Sequence, residues 1–198
     1  MKNDYISDIH KKDKLILHPY ENLKDRGTYN RKLIVKSDNI YLYDEDGKRY
    51  IDGPGGMWCN NIGHGNKEIA ESIKTQVEKM DYCSPFSESN ETSAELASVL
   101  CELSPGDLNT VFFTPDGSSA NETALRFVML YNNLLGRPEK KHIISRDRAY
   151  HGSTYLTASI TGKDRDENNF DFEKNFIHHL GSPNPYRKKD DQTVEDFC

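Results

Sequence analysis

The sequence predicts an α/β fold in which a largely parallel sheet follows a short antiparallel β-meander. Residues 66–160 alternate as helix, helix, strand, helix, strand, helix, which is typical of a parallel sheet covered by helices. Residues 32–52 contain three short apolar segments separated by turn residues, including an Asp-Gly pair that is typical of a hairpin. We therefore expect an N-terminal segment with the meander over 1–65 and the α/β layer over 66–198.

The helices of the second segment are predicted from apolar spacing and from their end signals. Asn66 can cap a helix that carries an apolar residue at every third or fourth position up to Met80. A second helix is predicted over 93–103. A third and longer helix begins after Gly117 and ends at Gly136.

Three strands are predicted beside these helices. Residues 110–114 form an apolar run that we expect to be a buried strand, residues 141–145 a second strand, and residues 176–180 a weaker third. Polar segments follow the first two strands at once. Ligands bind at the carboxyl ends of strands in open α/β sheets, so these two segments are the first candidate sites.

Charge and composition exclude some classes of function. The formal net charge is −6, and a nucleic-acid surface would need a concentrated positive field instead. No apolar run approaches the roughly 20 residues that span a bilayer. The first 14 residues are polar and charged, unlike a signal peptide, so we expect a soluble cytoplasmic chain without a membrane partner. The seven histidines and four cysteines show no metal-ligand spacing, and we predict no metal site.

The apolar content predicts a thin core. Leu, Ile, Val and Phe make up about 21% of the chain, close to the limit of roughly 20% at which disorder becomes plausible. The apolar residues nevertheless fall in periodic blocks, and Tyr and Phe are plentiful at 11 and 8. We expect a folded chain that is either sparsely packed or buried in part by something outside it.

The segment between the first strand and the long helix has the chemistry of a phosphate cup. A helix N-terminus offers unpaired N–H groups and a positive dipole end. Gly117 would let an anion approach the backbone, and Ser118 and Ser119 would add hydroxyl donors. An ordinary serine N-cap explains the same residues equally well.

Two other segments carry aromatic residues in candidate positions. Tyr150 follows the second strand, ahead of His151 and Gly152, and its ring could stack on a flat cofactor or be partly buried. Trp58 is the only tryptophan and stands beside Gly55-Gly56, either as a packing anchor or as a pocket wall. Glycine-rich sequence there excludes regular secondary structure and allows a close backbone approach.

Taken together, the motifs resemble the N-terminal part of a class III aminotransferase, a pyridoxal-phosphate (PLP) enzyme of fold type I, and most closely the ω-amino acid:pyruvate branch. The matching segments, in the family's order, are His18-Pro19-Tyr20; Tyr43-Asp44 to Gly47 with Ile51-Asp52-Gly53; Gly56 to Gly65; Val111 to Ala124; Gly136-Arg137-Pro138; Ile143 to Arg146; Tyr150 to Thr154; and Ser182 to Arg187. The resemblance covers nearly all of residues 15–198.

The resemblance implies roles for several residues. Gly117, Ser118 and, by position, Ser119 would hold the PLP phosphate. Tyr150 would stack on the pyridine ring with His151 and Gly152 beside it.

The resemblance also implies a substrate pocket and an assembly. Trp58 would line the pocket, together with Tyr20. Family members act as homodimers on small amines and keto acids, so we expect self-association. The fold would be fold type I but incomplete, comprising the small-domain segment with its meander and the first part of the large domain.

The sequence departs from the family pattern around the cup. The family commonly has Glu where Ser119 stands, and a small or polar pair where Pro115-Asp116 stands. Asp116 would place negative charge near a phosphate, so its side chain must turn away or the site is weakened. The Schiff-base lysine and the acid that holds the pyridine nitrogen proton come from downstream in the family, so no catalytic residue is expected in this chain.

Three functional interpretations remain open from the sequence. The chain is the N-terminal part of a transaminase that moves an amino group from an amine or ω-amino acid to a keto acid such as pyruvate, and it is inactive alone. Alternatively, it is a non-catalytic interaction module that another chain completes. A third interpretation keeps PLP but changes the reaction to that of an aminomutase, decarboxylase or racemase.

Overall fold

The computed structural model describes residues 2–163 and 169–197. The chain divides into two compact units, Met1–Asn90 and Glu91–Cys198. Each has its own sheet, one antiparallel and one parallel. The units are described separately below.

The first unit begins with helix α1 (Lys2–Asp13) and continues into a three-stranded antiparallel sheet. Its strands are β1 (Ile34–Asp38), β2 (Tyr41–Asp44) and β3 (Arg49–Ile51), in that order across the sheet. The predicted meander is therefore formed, and β2 lies between its two sequence neighbours.

A carboxylate holds the second hairpin of this meander together. Asp44 is buried and accepts hydrogen bonds from the backbone N–H of Lys48 at 2.8 Å and the hydroxyl of Tyr50 at 2.8 Å. The hydrogen bond from Tyr50 is the main cause that lowers the pKa of Asp44 below its usual range. The Asp44 side chain thus stabilises the predicted Asp-Gly turn through hydrogen bonds.

Two more helical segments complete the first unit. The turn α2 (Gly55–Trp58) follows the sheet, and α3 (Lys67–Lys79) follows the turn. The side chain of Asn66 accepts a hydrogen bond from the Ile69 N–H at 3.0 Å, which confirms the predicted N-cap. The apolar face of α3 lies open to solvent in the described structure, because Ile69, Ile73 and Val77 are all exposed.

The second unit carries α4 (Glu91–Leu103), α5 (Gly117–Leu134), α6 (Tyr155–Ile160) and α7 (Val194–Phe197). The strands β4 (Ile143–Arg146) and β5 (Ile177–Leu180) pair in parallel, with Ile143 opposite Ile177. The predicted strands over 141–145 and 176–180 are therefore confirmed, with ends that differ by at most two residues.

A small core lies between α5, α6 and this parallel pair. Leu156, Ile160 and Ile177 are the buried apolar residues of the described chain. Leu125, Met129, Ile143 and Phe176 pack against them and are partly buried. This cluster fixes α6 against β4 and β5, and so sets the position of the segment that connects β4 to α6.

The predicted buried strand over 110–114 is wrong in this structure. These residues are neither in a strand nor buried, since Phe112 and Phe113 are 66% and 49% exposed. A strand needs a neighbour for its N–H and C=O groups, and the described residues supply none here. Phe112 instead packs edge-on against Phe127 of α5, with ring centroids 5.6 Å apart.

The accessible surface supports the predicted thin core. It measures 16332 Å², whereas a compact 22.7 kDa protein is expected to expose about 9,500 Å². Among the described residues, exposed large apolar side chains occur along most of the chain, including the apolar faces of α3, α4 and α5. None of the helices in the described ranges is both long and apolar enough to cross a membrane.

Candidate functional site

The site in the second unit is built on the N-terminus of α5. Asp116 is the N-cap residue and has extended backbone, with φ −160° and ψ 170°. Gly117 opens the first turn, and a Cβ placed on it would meet nothing within 4 Å. The backbone at Gly117 can therefore be approached closely from outside the helix.

The carboxylate of Asp116 turns toward the helix rather than away from it. It accepts hydrogen bonds at 2.8 Å from both the backbone N–H and the hydroxyl of Ser119. These bonds, the backbone one first, lower the pKa of Asp116 below its usual range. Two donors that the sequence assigned to a phosphate, the N–H and hydroxyl of Ser119, thus bind a carboxylate of the same chain.

Ser118 faces a different neighbour, the segment that follows β4. Its hydroxyl oxygen accepts a hydrogen bond from the backbone N–H of Ser153 at 3.1 Å. Gly152 fits between Ser118 and Thr157, because a Cβ there would lie 2.7 Å from Ser118 Oγ and 2.5 Å from Thr157 Oγ1. Gly152 also has a φ of +137°, so both space and backbone conformation require glycine.

Two further hydrogen bonds fasten α5 to this segment. The side-chain amide of Asn121 donates to the carbonyl of His151 at 2.8 Å. The hydroxyl of Thr154 donates to a carboxylate oxygen of Glu122 at 2.6 Å. We call this contact between the first turns of α5 and residues 150–154 the α5 junction.

The α5 junction places two of the predicted residues, His151 and Gly152, next to the cup. Gly152 touches Ser118, while His151 contacts α5 through its carbonyl and contacts Thr161 through its N–H, at 3.0 Å from the Thr161 hydroxyl. Tyr150 is 54% exposed. The ammonium of Lys163 lies 4.8 Å from the centre of the Tyr150 ring, a cation–π contact.

The residues of this site fit the phosphate of PLP in part. Gly117 leaves open space, and Ser118 uses its oxygen as an acceptor, so its proton remains for an added acceptor. The half-exposed Tyr150 ring offers a surface for a flat ring. Asp116 opposes an anion, since its charge lies at the same helix end.

The predicted pocket residues lie in the first unit. Trp58 ends the turn α2, in which Gly55, Gly56, Met57 and Trp58 all have φ between 53° and 69°. Residues 55–58 therefore form a left-handed turn rather than a right-handed helix or a strand. The Trp58 N–H donates to the Pro54 carbonyl at 2.8 Å and closes this turn. Left-handed backbone is strained at the two non-glycine residues, and such strain concentrates at functional sites.

The turn is anchored at its start by Asp52. One carboxylate oxygen of Asp52 lies 2.9 Å from His64 Nε2, and the other accepts the Gly56 N–H at 3.2 Å. The hydrogen bond with His64 is the main cause that lowers the pKa of Asp52. Trp58 itself is 75% exposed, which leaves its indole available as a pocket wall.

Tyr20 also has a left-handed backbone, with φ 60°, and it is 72% exposed. Sequence analysis gave no role to Asn121, Glu122 or Thr154, although all three secure the α5 junction. Their bonds join residues about 30 positions apart, and no local pattern signals such pairs. The described residues contain no group of three or more His, Cys, Asp or Glu side chains that could hold a metal.

Comparison with known proteins gives a consistent result. A family model described as aminotransferase class-III matches residues 24–198. The diaminobutyrate–2-oxoglutarate transaminase of Halomonas elongata is 37% identical over 182 residues, which is 90% of this chain and 39% of that protein. The putrescine–pyruvate aminotransferase of Pseudomonas aeruginosa is 31% identical over 182 residues, 91% of this chain and 40% of the relative.

Solved structures agree with the sequence matches. The omega transaminase of Pseudomonas jessenii, solved in complex with PMP, superposes with a TM-score of 0.90 at 36% identity, over 95% of this chain and 42% of that one. An (S)-enantioselective omega-transaminase from Thermomicrobium roseum gives 0.89 at 35% identity, over 97% and 43%. The predicted fold class, α/β of the PLP transferase fold type I, is confirmed.

This chain spans about 40% of the length of the relatives it matches. Within that span the order of motifs, the fold and the family model all agree. The chain belongs to the class III aminotransferase family.

Proposed function

We propose that this chain forms the cofactor-phosphate and ring-stacking part of a PLP-dependent aminotransferase. The observation that carries the proposal is the α5 junction, which joins Ser118 at the helix N-terminus to Gly152 beside Tyr150. PLP, when bound, supplies an electron sink for bonds at the carbon that bears the amino group. The residues of this chain bind and orient it.

The role of each residue follows from its position. Gly117 and Ser118 hold the phosphate through backbone N–H groups and the Ser118 hydroxyl, and Ser119 fixes the cap beside them. Tyr150 stacks on the pyridine ring, held in place by the bonds at His151 and Gly152. Trp58 and Tyr20 form walls of the substrate pocket, where exposed aromatic rings exclude water from small amines.

Binding can be tested by titrating the chain with PLP and following the cofactor's absorbance. We expect Ser118→Ala and Tyr150→Ala each to weaken binding by about tenfold, the effect of losing one charge-assisted hydrogen bond or one stacked ring. Ser153→Ala is the matched control, because Ser153 contributes its backbone N–H to the junction. Equal affinity in all four proteins would contradict the proposed site.

We further propose that the parent enzyme moves an amino group from an amine or ω-amino acid to a keto acid such as pyruvate, and that this chain alone does not. The support is the family, together with the relatives named for putrescine–pyruvate and diaminobutyrate–2-oxoglutarate transamination. In the family resemblance the Schiff-base lysine and the pyridine-nitrogen acid lie beyond the segment that this chain matches. Aminomutase, decarboxylase or racemase chemistry is the competing reaction within the same cofactor class.

The inactivity of the chain has a direct test. Purified chain, PLP, an amine donor and pyruvate are mixed at equimolar protein and substrate, and alanine is measured. We expect none above a heat-denatured control. Borohydride reduction should leave PLP scattered over surface lysines, as in that control. Alanine in the native sample alone, or one stoichiometric PLP-lysine adduct, would overturn this part of the proposal.

A second candidate function is a module that another polypeptide completes. Its support is the exposed surface of 16332 Å² against the roughly 9,500 Å² of a compact chain of this mass. We propose first that the chain forms a homodimer, as the family resemblance implies, and that it is cytoplasmic. Native mass spectrometry separates the cases, because a defined heteromer after co-expression would favour the module and a homomer would favour the enzyme fragment.

A further inference from the structure

Two histidines meet on the face of the parallel sheet that lies away from the core. Ile143 of β4 pairs with Ile177 of β5, and Ile177 is buried in the core. Side chains alternate between the two faces of a strand, so His142, one position before β4, and His178, in β5, lie on the opposite face. Both histidines are exposed.

The two imidazoles are in contact through their ring nitrogens. Nδ1 of His142 lies 2.8 Å from Nε2 of His178, across 36 positions of sequence. The ring planes are inclined by 23°, and the ring centres are 5.0 Å apart. Because the nitrogens are much closer together than the centres, the rings meet at their edges, where the nitrogen lone pairs lie. Small rotations of the two exposed side chains therefore turn both facing nitrogens toward one added atom.

The proton between the two nitrogens can be replaced by a metal ion. A neutral imidazole has one protonated nitrogen and one with a free lone pair, so the 2.8 Å contact pairs a donor with an acceptor. When the donor's proton moves to the outer nitrogen of the same ring, both facing nitrogens have lone pairs. Both rings stay neutral, and the protein neither gains nor loses a proton. Neutral imidazole is the form of histidine that binds metal ions.

The spacing of the two nitrogens favours particular metal ions. At the distance of about 2.0–2.1 Å that is typical of zinc and imidazole, two donors 2.8 Å apart subtend roughly 84–89° at the ion. This angle fits neighbouring positions of a square-planar or octahedral ion better than those of a tetrahedral one, and tetragonal nitrogen ligation is typical of Cu²⁺ and Ni²⁺. We propose that His142 and His178 bind one divalent ion of this class, with water in its remaining positions.

Such a site differs from the metal sites that sequence spacing can predict. The predicted absence of a metal site depended on local spacing, whereas the pairing of β4 with β5 brings these two histidines together. The site has two protein ligands, in agreement with the absence of larger ligand groups among the described residues. The unfolded chain would have to close a long loop to bring the same ligands together. Binding should therefore stabilise the folded chain.

The neighbouring histidine of β5 provides a matched control. His179 follows His178 directly but faces the other side of the sheet, where its Nε2 lies 3.2 Å from the Ser159 carbonyl oxygen. Three further histidines, in the first unit, each lie within 3.1 Å of a carboxylate oxygen: His10, His18 and His64. Because imidazole binds metal ions wherever it is accessible, the experiment must locate the ion as well as count it.

The test uses the full 198-residue chain without an affinity tag. Ni²⁺ is the probe, because Cu²⁺ oxidises thiols and Cys59 is exposed. Mg²⁺, which prefers oxygen ligands, is the negative control. Calorimetry gives the affinity and stoichiometry, broadening of amide NMR signals by the paramagnetic ion gives its location, and urea unfolding gives its effect on stability. Wild type is compared with His142→Asn, His178→Asn and His179→Asn, each checked for folding by circular dichroism.

For wild type we expect one Ni²⁺ per chain, broadening centred on His142 and His178, and a higher urea midpoint with Ni²⁺ than with Mg²⁺. His142→Asn and His178→Asn should each bind Ni²⁺ at least about tenfold more weakly, since even the loss of a group that supports a ligand has an effect of this size. His179→Asn should keep the wild-type affinity. No Ni²⁺ binding by wild type, equal affinity in all four proteins, or broadening centred elsewhere would overturn the proposal. The experiment contains no PLP, so none of these results bears on the function proposed above.

Discussion

The two ends of helix α5 differ in whether their side chains contact other parts of the chain. At the N-terminal end, Ser118, Asn121 and Glu122 are bonded to residues about 30 positions away. Toward the C-terminal end, Tyr131 and Leu134 are 62% and 78% exposed. Side chains at the N-terminal end of α5, where the candidate site lies, are therefore held by hydrogen bonds within the chain. Large apolar side chains at its C-terminal end remain exposed.

This contrast separates the determinants of the site from those of the core. The α5 junction uses hydrogen bonds and a glycine contact, all supplied within residues 116–162. Burial of an apolar helix face needs a second layer of structure, and the described residues provide none for Tyr131 and Leu134. A chain that spans about 40% of its relatives can therefore hold the site's geometry while lacking much of the burial that stabilises a domain.

The largest expected effect comes from filling the space at Gly152. Gly152→Ala places a methyl group within 2.7 Å of Ser118 Oγ and within 2.5 Å of Thr157 Oγ1, at a φ of +137°. We expect the free energy of unfolding to fall by about 1–3 kcal/mol, as for other overpacked positions. Urea unfolding measures it.

Gly117→Ala is the matched control for Gly152→Ala. Gly117 lies in the first turn of α5, next to Ser118, but a Cβ there meets nothing within 4 Å. We expect it to be neutral or to stabilise by about 0.4–1 kcal/mol, because alanine restricts the unfolded chain. If the two alanine variants lost stability equally, the junction would not be the close contact that the structure shows.

The hydrogen bond between Thr154 and Glu122 should have the next largest effect. Thr154→Val removes the hydroxyl that lies 2.6 Å from Glu122 Oε2 but keeps the shape of the side chain. We expect a loss of about 1–2 kcal/mol in the free energy of unfolding, since a partly buried carboxylate loses a donor. Ser153→Ala, which keeps the backbone N–H bond to Ser118, should change it by less than about 0.5 kcal/mol.

The Asp116 cap makes a smaller and pH-dependent contribution. Its pKa is lowered in the folded chain, chiefly by the Ser119 N–H, so the cap stabilises above the usual value of 3.8 and this contribution is lost as the pH falls through the folded pKa. The free energy of unfolding should therefore fall less steeply below pH 3.8 in Asp116→Asn than in wild type. Parallel curves for the two proteins would show that the cap bond is absent in solution.

Local signals allowed much of this structure to be predicted from sequence. The Asn66 cap, the end of α5 near Gly136 and the meander depend on neighbouring residues, and they were predicted correctly. The strand over 110–114 was not, because a strand forms only with a partner, and its apolar sequence does not show whether one is present.

In the candidate site, too, local features could be predicted from sequence and contacts between distant residues could not. Ser118, Tyr150 and Gly152 were selected from motifs, but the bonds that join their segments link residues far apart in sequence. The glycines before Trp58 predicted the absence of regular structure there. They did not predict that Met57 and Trp58, which are not glycine, also adopt left-handed backbone. The direction of the Asp116 side chain was left as two alternatives, and the structure shows that it caps the helix.

The smallest expected effect on stability lies at the other end of α5. Replacing both Tyr131 and Leu134 by Ser should change the free energy of unfolding by no more than about 0.5 kcal/mol per site, because neither side chain is buried. If this face is instead a contact surface, the same double variant should weaken self-association by about tenfold, or about 1.4 kcal/mol. Sedimentation velocity measures the association, and Asn133→Ser on the same helix is the control. A double variant that loses several kcal/mol of unfolding free energy would mean that the face is already packed within the chain, and the contrast between the two ends of α5 would disappear.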